Sequence, residues 1–83
     1  MPPIHELEVP DFACVKLGRR NISAEEAEQL PLNRYRMGPN PRSPHGRARQ
    51  LLVGETNGGR RLELVIEPTE EPTTWRVITG WDL

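Results

Sequence analysis

Apolar and polar positions alternate most regularly in the second half of the chain. Arg61 to Glu67 places Leu62, Leu64 and Ile66 on one side and Arg61, Glu63, Val65 and Glu67 on the other. That period of two predicts a half-buried strand. Upstream, RQLLVGE alternates Leu51 and Val53 with Gln50 and Leu52 and reads as its partner. Between them, TNGG carries Asn57-Gly58, a short hairpin signal whose two positions are expected to accept positive φ. Pro68 ends the central strand, and TEEPTT makes a polar connection to a third strand from Thr74 to about Trp81. Strict alternation there sets Trp75, Val77, Thr79 and Trp81 on one face, with Arg76 and Ile78 on the other. Three consecutive strands thus predict an antiparallel meander.

The first third has a helical pattern instead. After Pro10, Asp11 is placed to cap a helix running to about Arg20, with Phe12, Val15 and Leu17 inward and Lys16, Arg19 and Arg20 outward. Gly18 and Asn21 mark its end. SAEE follows, a sequence in which Ser23 at the N-cap and Glu26 at the third helical position satisfy each other's backbone N–H. Ala24, Ala27 and Leu30 share one face of this second helix, and Pro31 stops it. Before both helices, IHELEV alternates weakly and suits either a short strand or an extended tail.

Between the second helix and the first strand of the meander lies NRYRMGPNPRSPHGRAR. Its Pro39, Pro41, Pro44, Gly38 and Gly46 rule out a regular helix, so residues 33–48 are expected to form a flexible basic loop. The fold class is therefore α+β. Two short N-terminal helices pack on a three-stranded antiparallel meander, with room for an extra N-terminal strand, in one domain over residues 1–83.

Charge sharpens the picture. The net charge of the 83 residues is −1, but it is unevenly spread. Residues 1–33 hold three cations against six carboxylates, as do residues 50–83. Residues 34–49 hold Arg34, Arg36, Arg42, Arg47 and Arg49 with no carboxylate. Ten of the eleven cations are arginine, which presents a planar fork to phosphate and stacks on bases. Apolar residues at 35% and charged residues at 28% suit a small fold rather than a disordered chain. The single cysteine, Cys14, excludes an internal disulfide and a cysteine-based zinc cage and suits a reducing cytoplasm. No apolar run reaches membrane-spanning length, and MPPIHELEVPD lacks a signal-peptide pattern.

Candidate chemistry is sparse. No phosphate-cradling glycine loop, paired metal-ligand spacing or serine elbow is present, so neither metal nor cofactor is expected. Cys14 with His5 suits core filling better than a nucleophile and base. His45 reads as a solvated loop residue or as an acid or base near bound RNA. Arg49, Arg60, Arg61 and Arg76 would sit on or beside one sheet, where they would hold phosphates or pair with Glu55, Glu63 and Glu67 across strands. For Trp75 and Trp81, packing or contact with a second copy accounts for a shared face better than base stacking.

The segments KLGRRNISAEEAEQL, RQLLVGETNGGRRLELVIEP and WRVITGW, in that order, resemble the BrnT-type toxins of bacterial toxin–antitoxin pairs, within the RelE/ParE-like group. The resemblance covers roughly residues 11–82. It implies a type II toxin that cleaves RNA without metal and so inhibits translation, and a DNA-binding antitoxin as partner. The positions it matches are Lys16 and Arg20 at the end of the first helix, Arg49 at the start of the first strand and Arg61 after the hairpin. Adding Arg76 on its place in the last strand gives Arg49, Arg61 and Arg76 as catalytic candidates. Lys16, Arg20, Arg34, Arg36, Arg42, His45 and Arg47 are the RNA-binding candidates. The family pattern continues with an arginine shortly after the Ile-Thr pair; here Gly80, Trp81, Asp82 and Leu83 follow Thr79, so a contribution from that position is absent. The same fold would also serve a non-catalytic module that holds a protein or a nucleic acid.

Overall fold

A computed structural model describes residues 4–40 and 49–83. In chain order the elements are β1 (Glu6–Glu8), α1 (Asp11–Gly18), α2 (Ala24–Gln29), a 3-10 turn (Leu30–Leu32), β2 (Tyr35–Pro39), β3 (Gln50–Glu55), β4 (Arg61–Pro68) and β5 (Thr74–Asp82). Among the described residues the strands form one mixed sheet in the order β1-β5-β4-β3-β2. The broad α+β class holds, but two strands extend the expected meander. β1 pairs parallel with β5 through Leu7 and Trp75, and β2 pairs antiparallel with β3 from Tyr35↔Gly54 to Pro39↔Gln50.

β2 corrects the reading of residues 35–39 as loop, whereas residues 41–48 of the same expected loop lie outside the described residues. Tyr35 and Met37 pack against the core, while Arg34 and Arg36 are exposed, so the alternation is present. Gly38 and Pro39 conceal it, and an edge strand tolerates both because proline's missing N–H lies where no ladder bond is needed. Asn40 N–H donates to the Arg49 carbonyl at 3.2 Å and closes the β2–β3 ladder at that end.

The core lies on one side of the sheet. Leu52, Leu62, Leu64, Ile66, Trp75 and Val77 meet Leu7, Ala13, Leu17, Ile22, Ala27 and Leu30. α2 has the expected start: the Ser23 hydroxyl accepts from Glu26 N–H at 3.1 Å and the Glu26 carboxylate accepts from Ser23 N–H at 3.1 Å. α1 departs from its pattern. Pro10, not Asp11, occupies the N-cap, and Asp11 lies in the first turn. Ala13 and Leu17 are its buried positions, whereas Phe12 is 47% and Val15 57% exposed. The inward stripe is an i, i+4 pair rather than the wider face read from apolar residues alone. Lys16 Nζ covers the Phe12 ring at 5.8 Å from its centroid.

Gly80 is the reason α1 approaches β5 so closely. A Cβ there would stand 3.2 Å from Leu17 Cδ2, 2.9 Å from the Glu63 carbonyl oxygen, and closer still to Leu64 Cδ2. The β3–β4 turn also differs from expectation. Asn57 and Gly58 keep negative φ, and the left-handed position falls on Gly59 at φ 86°. Gly59 N–H donates to the Thr56 carbonyl at 2.9 Å, so the reversal takes one residue more than a two-residue hairpin.

A bulge in β5 overturns the expected alignment of the tryptophans. Val65 pairs with Thr79 and Ile66 with Val77, leaving Ile78 as an extra residue. Side-chain parity reverses across it. Trp75 and Val77 therefore point into the core with Ile66, while Thr79 and Trp81 share the other face with Val65 and Glu63.

Candidate nucleic-acid interface

The sheet face away from the helices carries most of the arginines singled out above. Strand register sets Arg36, Val53, Glu63 and Trp81 in one row across β2, β3, β4 and β5. A neighbouring row sets Leu51 beside Val65 and Thr79. Val65 and Ile78 are nearly buried yet stand outside the helix-side core, while Leu51, Val53 and Trp81 remain partly exposed. This face thus has an apolar middle.

At the β3–β4 turn it opens into a cleft of about 910 Å³. Arg34, Arg36 and Arg61 line it together with Tyr35, Asn57 and one carboxylate, Glu55. Register places Glu55 directly opposite Arg61, but no ion pair joins them within 4 Å. Among the described residues, none of the three arginines has an ion-pair partner. The floor is fixed by side-chain amides. Asn33 Nδ2 donates to Asn57 Oδ1 and to the Glu55 carbonyl, both at 3.0 Å, and Asn57 N–H donates to Gln29 Oε1 at 2.9 Å. Three guanidinium forks around one opening have the charge and donor geometry that phosphate groups accept.

The opposite end of the same face is internally neutralised. Arg49 Nε lies 3.5 Å from Glu67, Arg76 lies 3.3 Å from Glu67, and Arg76 also reaches Glu8 at 3.5 Å. The catalytic candidates therefore do not converge. Arg49 and Arg76 share Glu67, whereas Arg61 stands at the far end of β4, roughly 20 Å away by strand rise. Lys16 and Arg20 form a third location, a depression of about 510 Å³ with Arg19 and Thr79. Arg42, His45 and Arg47 lie outside the described residues.

Arg60 has a structural role that adjacency to Arg61 in sequence does not suggest. Its guanidinium donates to both Asp82 oxygens, to both Glu26 oxygens at 3.1 Å, and to the carbonyls of Asn21 at 2.6 Å and Arg20 at 3.2 Å. It thereby joins the α1–α2 turn, the start of α2 and the end of β5. Asn21 takes the left-handed position of that turn at φ 57°, which asparagine tolerates better than most side chains. Asp82 is held below its ordinary range chiefly by the Arg60 hydrogen bonds. Glu26 is lowered first by the Ser23 N–H and then by Arg60. Arg60 is raised in turn, first by Asp82 and then by Glu26.

Among the described residues, no group of three or more histidine, cysteine or carboxylate side chains could hold a metal ion, and no helix is long and apolar enough to cross a membrane. Cys14 is partly buried, and its thiol points to the Val9 carbonyl at 3.5 Å. Comparison with family models, curated proteins and solved structures gave no match.

Proposed function

We propose that this chain is a toxin-like RNA-binding domain that cleaves RNA without a metal ion, acts in the cytoplasm and is held in check by a DNA-binding antitoxin. The observation that carries this reading is the cleft on the helix-free face, where Arg34, Arg36 and Arg61 stand around one opening without neutralising partners among the described residues. Arginine there suits a phosphodiester, which accepts a bidentate fork and gains negative charge as it becomes pentavalent. In this reading Arg34 and Arg36 hold flanking phosphates and Arg61 meets the one that reacts.

Glu55, the carboxylate that lines the cleft, is the proton acceptor in this reading. The proposed step is attack of a 2′-oxygen on the adjacent phosphorus with its proton passing to Glu55. The bond to the 5′-oxygen breaks, that oxygen takes a proton from water, and a 2′,3′-cyclic phosphate remains. Arg49 and Arg76, paired with Glu67 and Glu8, hold the other end of the face. Lys16 and Arg20 offer a second patch for the strand's continuation.

A second reading is supported by the apolar middle of the same face: a non-catalytic module that binds without cleaving. Inducible expression in a bacterial host, following growth and total RNA integrity together, separates the two. Growth arrest with RNA fragments, relieved by Arg61→Ala, is the expected result. Normal growth and intact RNA with abundant soluble protein would leave only binding.

A further inference from the structure

We infer that the row Arg36, Val53, Glu63 and Trp81 is a base-reading platform for single-stranded RNA, with Trp81 stacking one base and Glu63 selecting guanine. This rests on the RNA-binding reading above and adds to it a substrate class and a specificity.

Three independent features meet in the row. The β5 bulge turns Trp81 away from the core that holds Trp75, so its ring is partly exposed on a face where no described helix packs. Packing therefore accounts for Trp75 but leaves the exposed ring of Trp81 unexplained. Glu63 stands directly beside it in register, partly shielded, with Val53 on its other side. No described cation pairs with Glu63, although Arg61 lies on the same face two residues away. Arg36 closes the row on β2 and also lines the arginine cleft. The row spans three strand spacings, roughly 14 Å.

These chemistries are complementary to one kind of ligand. A base stacked on an indole lies parallel to it and leaves its edge free, where a neighbouring side chain can read it. A carboxylate only accepts hydrogen bonds, so it discriminates by counting donors. Guanine alone presents two adjacent donors, N1–H and the 2-amino group, on its Watson–Crick edge, and they match the two oxygens of Glu63. Uracil offers one donor flanked by carbonyl oxygens that would repel the carboxylate. A paired base has this edge occupied, which restricts the platform to single strands. Arg36 and Arg61 then lie on the side where the backbone would run into the cleft.

The test compares a fluorescent uridine hexamer with the same hexamer carrying one central guanosine or inosine, titrated with the full chain at low salt. Guanosine is expected to bind roughly tenfold tighter than uridine alone, with inosine between them. Glu63→Gln should erase that preference and raise the uridine affinity, because the charge that repels the uracil carbonyl oxygens is gone. Trp81→Leu should weaken both RNAs roughly tenfold. Emission from the buried Trp75 reports whether each variant remains folded. Equal affinity for all three RNAs, unchanged by either substitution, would overturn the platform and leave the arginine cleft standing. No binding of any RNA by folded protein would defeat the RNA-binding reading itself. If Trp81→Leu instead converts a dimer to a monomer in sedimentation without altering RNA affinity, the row is a contact between copies and the inference fails.

Discussion

Trp75 and Trp81 lie on the same strand yet face opposite sides of the sheet, because the extra residue Ile78 reverses the alternation between them. Trp75 is 6% exposed and belongs to the helix-side core, whereas Trp81 lies in the row that crosses the other face. The two rings should therefore respond differently to the same change. Trp75→Ala is expected to cost about 3–5 kcal/mol by urea denaturation. Trp81→Ala should cost roughly 1 kcal/mol or less. Iodide quenching supplies a second check, since it should reach Trp81 and spare Trp75.

Gly80 predicts a steric effect. Gly80→Ala would press a methyl group against the Glu63 carbonyl and two leucine side chains, and backbone cannot yield as a flexible side chain can. A loss of about 1–3 kcal/mol is expected. Gly38→Ala provides the comparison, since nothing lies within 4 Å of its added Cβ. Thermal unfolding of the two variants should separate them clearly.

The Arg60 clamp predicts an acid-sensitive stability. Glu26 and Asp82 are both depressed in the folded protein, so the unfolded chain binds more protons as pH falls past their ordinary values of 4.5 and 3.8. Their contribution is present above those values and is lost as pH drops through the lowered ones. Urea midpoints measured from about pH 6 to about pH 3 should decline, and Arg60→Gln should be less stable at neutral pH with a shallower decline. An unchanged slope in that variant would count against the clamp.

The arginines at the two ends of the sheet should differ in their effect on RNA attachment. Arg36→Ala and Arg61→Ala are each expected to reduce the slope of log affinity against log salt by about 0.7, the value for one lost phosphate contact on a single strand. Arg49→Ala should leave that slope unchanged, because its charge already faces Glu67. Fluorescence anisotropy across a salt series measures all three.

The elements most legible in the sequence were those set by local chemistry. Ser23 and Glu26 specify the start of α2 within four residues, and Leu62, Leu64 and Ile66 show the core side of β4 by alternation. Long-range relationships were less visible. β2 is an edge strand whose Gly38 and Pro39 resemble loop, and its pairing becomes apparent only beside β3. A bulge leaves no local signature in WRVITGW, so parity counted along the strand put Trp81 on the wrong side. For the same reason the arginines were countable but their grouping was not. Arg61 joins Arg34 and Arg36 through strand register, while its sequence neighbour Arg60 turns toward Glu26 and Asp82.

The parallel pairing of β1 with β5 also constrains how the chain can be made. Glu6 meets Thr74 and Leu7 meets Trp75 across nearly the whole length of the chain. On the ribosome, β1 emerges well before its partner β5, so β1 and the side chains of Ile4 and Leu7 must wait for it. The antiparallel hairpins of β2, β3 and β4 can assemble meanwhile from neighbouring sequence. The sheet is thus closed on that side only when β5 pairs with β4 and offers the waiting β1 an edge.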